Sequence, residues 1–242
     1  MSSEQGAVAN ATGGVEMGLI QRIIGIFTSP GQAFESIRTK PNWLVPTILI
    51  IAIALASVAV LSPVLKKEQM TRQQEMMEKR GMSQEQIDMA VEQGQKWMSY
   101  TLYPSVIIWT LISFLVGAAV WLFVSNTILG GQSAYKQMFA VTAYSSLIDV
   151  LGGLIKMPIM LSKETANVHF SIATFMSESA KDTFLYKLLS HFELFTIWSI
   201  IVLCIGIAVV GRFKVDKVWP WVAVIFLLWY AVTSALGGML GF

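Results

Sequence analysis

Charge is scarce in this chain. Only 13% of its 242 residues are Asp, Glu, Lys or Arg, against about a quarter in an ordinary soluble domain. The formal net charge of +2 leaves no basic surface for a nucleic acid, and the cations collect beside hydrophobic runs instead. A single cysteine, Cys204, excludes an intramolecular disulfide and any CxxC metal or redox motif; lying inside an apolar run, it reads as a buried, inert thiol. Histidine is nearly absent, with His169 and His191 both in a loop, where they read as surface or interfacial groups. There is no HExxH helix, no glycine loop cradling phosphate ahead of a lysine and no GxSxG nucleophile turn. The chain is therefore read as a non-enzyme, with no metal or cofactor expected. Residues 1–16 are small and polar and read as a disordered tail, not a cleavable signal peptide; Ser2 stands where myristoylation needs glycine. The Asn10-Ala11-Thr12 sequon matters only if that tail faces a glycosylating lumen.

What is abundant is apolar length. Hydrophobic residues make up 55% of the chain and the mean hydropathy is +0.61. A helical crossing needs about 20 apolar residues, which places five spans at 43–65, 103–127, 137–161, 192–211 and 218–240. The expected fold is all-α and polytopic. Span three carries Asp149 and Lys156, and Gly152-Gly153 followed by Pro158 suggests a broken helix.

Between the spans the sequence predicts further helices. Leu19, Ile20, Ile23, Ile24 and Phe27 share one side of an amphipathic helix. Ser29 is a natural N-cap, Pro30 fits the first helical position and Gln32 sits where a capping-box partner belongs. Ala33, Phe34 and Ile37 then share a face opposite Glu35 and Arg38, and Trp43 stands at the mouth of span one. This hairpin either lies in the headgroup layer or packs on the bundle's flank. Residues 66–99 read as a helical hairpin projecting into water, with Gly81 ending one arm and a Ser83–Gln86 capping box starting the other. Its methionines, Met76 and Met77 among them, either form an adaptable partner surface or fill the hairpin's own seam. Phe34, Ile37, Arg38, Met76 and Met77 are thus the candidate interfacial or partner surface. Residues 162–191 are too apolar for a free loop and predict an interfacial helix that starts near Ser177 and carries Phe184, Leu185, Leu188 and Leu189.

Intramembrane charges are costly, so Asp149, Lys156 and Glu193 are the candidate polar site. Lys156 lies seven residues beyond Asp149, roughly 10 Å along the helix and too far for a direct bond. Glu193, at the head of span four, falls at the depth of Lys156 and is expected to pair with it. Asp149 reads either as part of an ion or proton relay, or as a polar contact to Tyr144, Ser145 or Ser146. Gly117, Gly237, Gly238 and Gly241 read as close-packing positions.

Several segments together carry a resemblance: the SPGQAF helix entering span one, GGQSAYKQMFAVTAYSSLIDVL at span three, and FELFTIWSIIVLCIGIAVVGRFKVDKVWPWVAVIFLLWYAVTSAL through spans four and five. The arrangement is similar to bacterial members of the Yip (Ypt-interacting protein) domain family, from about Leu19 to Met239, including the Gly131-Gln132-Ser133 loop and the Glu193-Leu194-Phe195…Trp198 pattern. Glu193 stands where the pattern often has Asp, and Asp149 where an uncharged residue or Pro is usual. The resemblance implies five helices, a cytoplasmic N-terminus and an outside C-terminus in the bacterial inner membrane. Counting basic residues alone points the other way, with 7 on the side of the N-terminus (Arg22, Arg38, Lys40, Lys136, Arg212, Lys214, Lys217) against the remaining 10. Some bacterial relatives look like accessory partners of efflux-type ABC transporters, so a scaffold or accessory role is expected; a small transporter using Asp149 is the alternative. The family defines no catalytic residues.

Overall fold

In the computed structural model, residues 17–168, 170–176 and 183–240 are described. The polar tail with its sequon, His169, the helix start at Ser177 and the packing of Gly237, Gly238 and Gly241 lie outside the described residues.

The chain folds into α1 (Leu19–Thr28), α2 (Pro30–Thr39), α3 (Leu44–Lys79), α4 (Gln84–Phe123), α5 (Tyr135–Ser145), α6 (Leu147–Lys163), α7 (Phe184–Ser190), α8 (Leu194–Gly211) and α9 (Val215–Leu240). Five stretches are long and apolar enough to cross a membrane: α3, α4, α5 with α6, α8 and α9. The protein is an all-α polytopic membrane protein.

The arm between spans one and two is an outgrowth of the spans themselves. Helix α3 runs unbroken from Leu44 through Pro63 to Lys79, and α4 returns from Gln84. Gly81 takes a left-handed φ of 71° at the turn, a conformation that costs glycine nothing. The Ser83 Oγ accepts from the Gln86 N–H, and Gln86 Oε1 accepts from the Ser83 N–H at 3.1 Å. Ile87, Val91 and Met98 are buried against α3, and Gly94 lets the Gln73 side chain approach, so that face closes the hairpin on itself.

Span three is interrupted at Ser146, between α5 and α6, and not at its glycines or Pro158, all of which lie within α6. The interruption is slight: Ser146 N–H still donates to Thr142 O and Val150 N–H to Ser146 O, both at 3.1 Å. The glycines serve packing instead. A Cβ on Gly152 would come within 2.6 Å of Phe195 on α8, whereas one on Gly153 would meet nothing within 4 Å.

The core gathers on α5 and α8: Met138, Val141, Tyr144 and Ile148 face Val202 and Ile207. Helices α1 and α2 add Ile26, Ala33, Phe34 and Ile37, all at 0% exposure. Phe34 and Ile37 are therefore not an interfacial or partner surface. Phe34 reaches α8 so closely that a Cβ on Gly206 would lie 2.9 Å from its ring. Ser29 takes the N-cap position without a side-chain cap bond, and its carbonyl accepts from Gln32 and Ala33 instead. Arg38 is tied to Glu35 by an ion pair one turn back, so its guanidinium is not free to serve as a partner contact. Trp43 packs edge-on against Phe139 at 4.9 Å.

At the far end of the bundle, Asn126 clamps the backbone of Ser133 with Nδ2 to O at 2.9 Å and N to Oδ1 at 2.8 Å. Gly130 turns with φ 73°, and Gly131 leaves room for Phe213 from the α8–α9 turn. The Gly131-Gln132-Ser133 segment is thus a structural knot joining two interhelical turns.

Candidate functional site

Three helices bring polar side chains together in the half of the bundle where α8 begins. Glu193 occupies the N-cap position of α8 with extended backbone (φ −86°, ψ 152°), where the helix dipole favours a carboxylate. The segment before it is held by an antiparallel bridge to Ser171 and by Leu194 N–H donating to Phe170 O at 3.3 Å. Lys156, on α6, donates to Glu193 Oε2 at 2.6 Å, with the side chains 17% and 11% exposed. A pair so shielded holds each charge where neither would remain alone.

Asp149 lies two turns deeper on α6 and does not join that ion pair. Ser199 on α8 is its polar neighbour, with the serine hydroxyl donating to Thr196 O at 3.0 Å, and the charges of Lys156 and Glu193 act on Asp149. Tyr230 on α9 feels both Asp149 and Glu193. Asp149 is nevertheless exposed along one side, so the carboxylate is not sealed in the core. The partners expected from residues 144–146 do not bond to it. Ser146 Oγ donates to Thr142 O at 3.0 Å, while the Tyr144 and Ser145 hydroxyls are buried without a hydrogen-bond partner.

His191 is no free surface group. Its ring stacks on Tyr230 at 4.6 Å and its Nδ1 lies 2.7 Å from Lys187 O. Among the described residues no three His, Cys, Asp or Glu side chains are grouped to hold a metal. Helix α7 starts at Phe184, capped by the Thr183 hydroxyl on the Tyr186 N–H at 3.2 Å, and exposes Phe184 and Leu185. Ser199 and Tyr230 were invisible in the sequence as site residues, because each is one polar residue in a long apolar helix. Only the α6–α8–α9 packing gives them a role.

The second candidate surface is the α3–α4 arm, where Met76 and Met89 are exposed, Met77 is half-buried and Met98 is buried. The arm is latched to the loop after α6. Glu68 accepts from Thr165 Oγ1 at 2.8 Å, Asn167 Nδ2 at 2.9 Å and Ala166 N at 3.3 Å. Beside it Lys67 pairs with Glu164 at 2.5 Å, and the lysine holds the Glu164 carboxyl below the usual range.

Five spans and a helical arm define a polytopic α-helical membrane protein. The chain belongs to the Yip1 domain family, whose model matches residues 24–237. It is also similar to "Membrane protein YknW" of Bacillus subtilis (strain 168), 27% identical over 214 residues that cover 88% of each chain. No solved structure matches.

Proposed function

We propose that this protein is a non-enzymatic scaffold or accessory subunit of the bacterial inner membrane, acting through partner contacts made by the α3–α4 arm. Its N-terminus lies in the cytoplasm and its C-terminus outside. The carrying observation is the arm's construction. Fourteen residues, Lys66–Lys79, extend α3 past the span as one continuous helix, roughly 21 Å, and the Glu68 latch braces the root. A rigid, water-exposed rod presenting adaptable methionines suits protein recognition better than chemistry. The family resemblance points to an efflux-type ABC transporter as the partner class. Crosslinking in native membranes followed by mass spectrometry tests this: a transporter subunit crosslinked to the arm, and lost on Met76→Glu with Met89→Glu, is the expected result. An arm that crosslinks to nothing above background sinks the proposal.

A second reading rests on Asp149, with Ser199 and Tyr230 as its neighbours. An accessible carboxylate inside a span suits a small ion or solute path. Ion flux in liposomes that Asp149→Asn abolishes favours this reading; its absence removes it.

A further inference from the structure

Residues 23–34, IIGIFTSPGQAF, form a run of twelve uncharged residues between Arg22 and Glu35, and they make the turn of the α1–α2 hairpin. Three contacts measure how far this run descends along the bundle. At the neck, Gln137 Nε2, near the start of α5, donates to Arg38 O at 2.8 Å. Midway, Phe34 lies against Gly206, five residues before the end of α8 and roughly 8 Å in. At the bottom, the Phe27 and Trp198 rings meet edge-to-face at 5.9 Å, and Trp198 lies thirteen residues before Gly211, roughly 20 Å in. Arg212, Lys214 and Lys217 mark the water boundary just beyond that helix end. A hydrocarbon core about 30 Å thick has its midplane near 15 Å, so the hairpin's turn reaches that depth.

The chemistry of each part suits its depth. All the hairpin's charges stay at the neck. Arg22 is buried there, donating to Lys40 O at 2.8 Å and to Met17 O and Ser36 Oγ at 3.1 Å, while Glu35 pairs with Arg38. At the turn the backbone donors are used up or absent with one exception, the Gly31 N–H, which has no bond. Ser29 N–H donates to Gly25 O at 2.7 Å, Pro30 has none, and Gln32 and Ala33 both donate to Ser29 O. The Thr28 hydroxyl donates to Ile24 O at 3.2 Å. An unpaired donor exposed to hydrocarbon costs several kcal/mol, and this turn keeps them to the single Gly31 N–H. The limbs lie close because Gly25 faces Ala33, and the outward face carries Ile20 and Ile24, 71% and 55% exposed.

We propose that α1 and α2 form a re-entrant hairpin, entering the bilayer from the N-terminal side and turning at Ser29-Pro30 near the midplane. Its inner face wedges against α5 and α8, and lipid acyl chains cover Ile20 and Ile24. The turn rests on Trp198, next to Ser199 on α8.

A single cysteine tests the depth. On a Cys204→Ser background, Ser29→Cys is labelled with an environment-sensitive fluorophore and reconstituted in phosphatidylcholine vesicles containing brominated lipids. Quenching is expected to be stronger with bromine deep in the acyl chain than with bromine near the headgroup. A membrane-impermeant maleimide added from the N-terminal side is expected to label Ser29→Cys slower than Lys40→Cys by on the order of tenfold or more. Gly31→Cys serves if Ser29→Cys misfolds, since a Cβ there meets nothing within 4 Å. Stronger quenching from the headgroup position, or labelling as fast as at Lys40→Cys, overturns the proposal.

Discussion

Spans one and three make opposite use of the same membrane. Helix α3 is the most apolar of the five and only 17% of its span is buried in protein; the α5–α6 span is the least apolar and 61% of it is buried. In these two spans hydrophobicity and burial run in opposite directions, because lipid tails are as apolar as leucine. A helix facing lipid must be hydrophobic all round, whereas one facing other helices profits from small and polar residues that permit close approach. Val141, Ala143 and Tyr144 are each fully buried, while Ile48 and Val60 on α3 look outward. In a soluble domain the most hydrophobic helix would be the central one. Here it is peripheral.

The contrast breaks most visibly at the Lys156–Glu193 pair. Glu193→Ala leaves Lys156 half-buried and unpaired, and a loss of about 3 kcal/mol is expected, read as a lowered unfolding midpoint in detergent. Lys156→Met combined with Glu193→Gln should recover most of it, and the double-mutant cycle isolates the coupling. A single substitution as mild as the double one would mean that the pair is solvated.

Next in size is the paired glycine experiment within α6. Gly152→Ala drives a Cβ into Phe195 and should cost roughly 1–3 kcal/mol. Gly153→Ala, one residue away, opens onto free space and should be neutral or slightly stabilising, since alanine favours the helix. Equal effects at the two positions would refute the α6–α8 approach as the reason for the glycine.

The smallest effect belongs to the water-exposed side. Glu164 is held below the ordinary carboxylate range by Lys67, so its contribution is present above the unfolded-state value and lost as pH falls through the folded one. Lys67→Ala should return the Glu164 titration, followed by NMR, toward the usual value with no measurable change in unfolding midpoint.

Much of this molecule was legible because its signals are local. The five apolar runs, the Gly81 stop and the Ser83–Gln86 capping box depend on residues within a few positions of each other. The pairing of Lys156 with Glu193 followed from equal depth on two spans. Other features were read less well where the deciding partner is distant in sequence. The Gly152-Gly153 pair looked like a helix breaker, but membrane helices tolerate glycine when a neighbour such as Phe195 fills the groove. Phe34 and Ile37 looked like a surface stripe because periodicity shows only that one face is apolar, not whether lipid or α8 covers it.

The amino-acid sequence alone determined that this chain carries five helices fit to span a membrane and which charges lie inside them, since backbone satisfaction in hydrocarbon allows few other solutions. Only the tertiary structure decided which helix is central, that Asp149 has Ser199 and Tyr230 of other helices as neighbours, and that the N-terminal hairpin buries Phe34 and Ile37 against α5 and α8. Those choices rest on close packing between segments far apart in the chain, and hydropathy does not encode them.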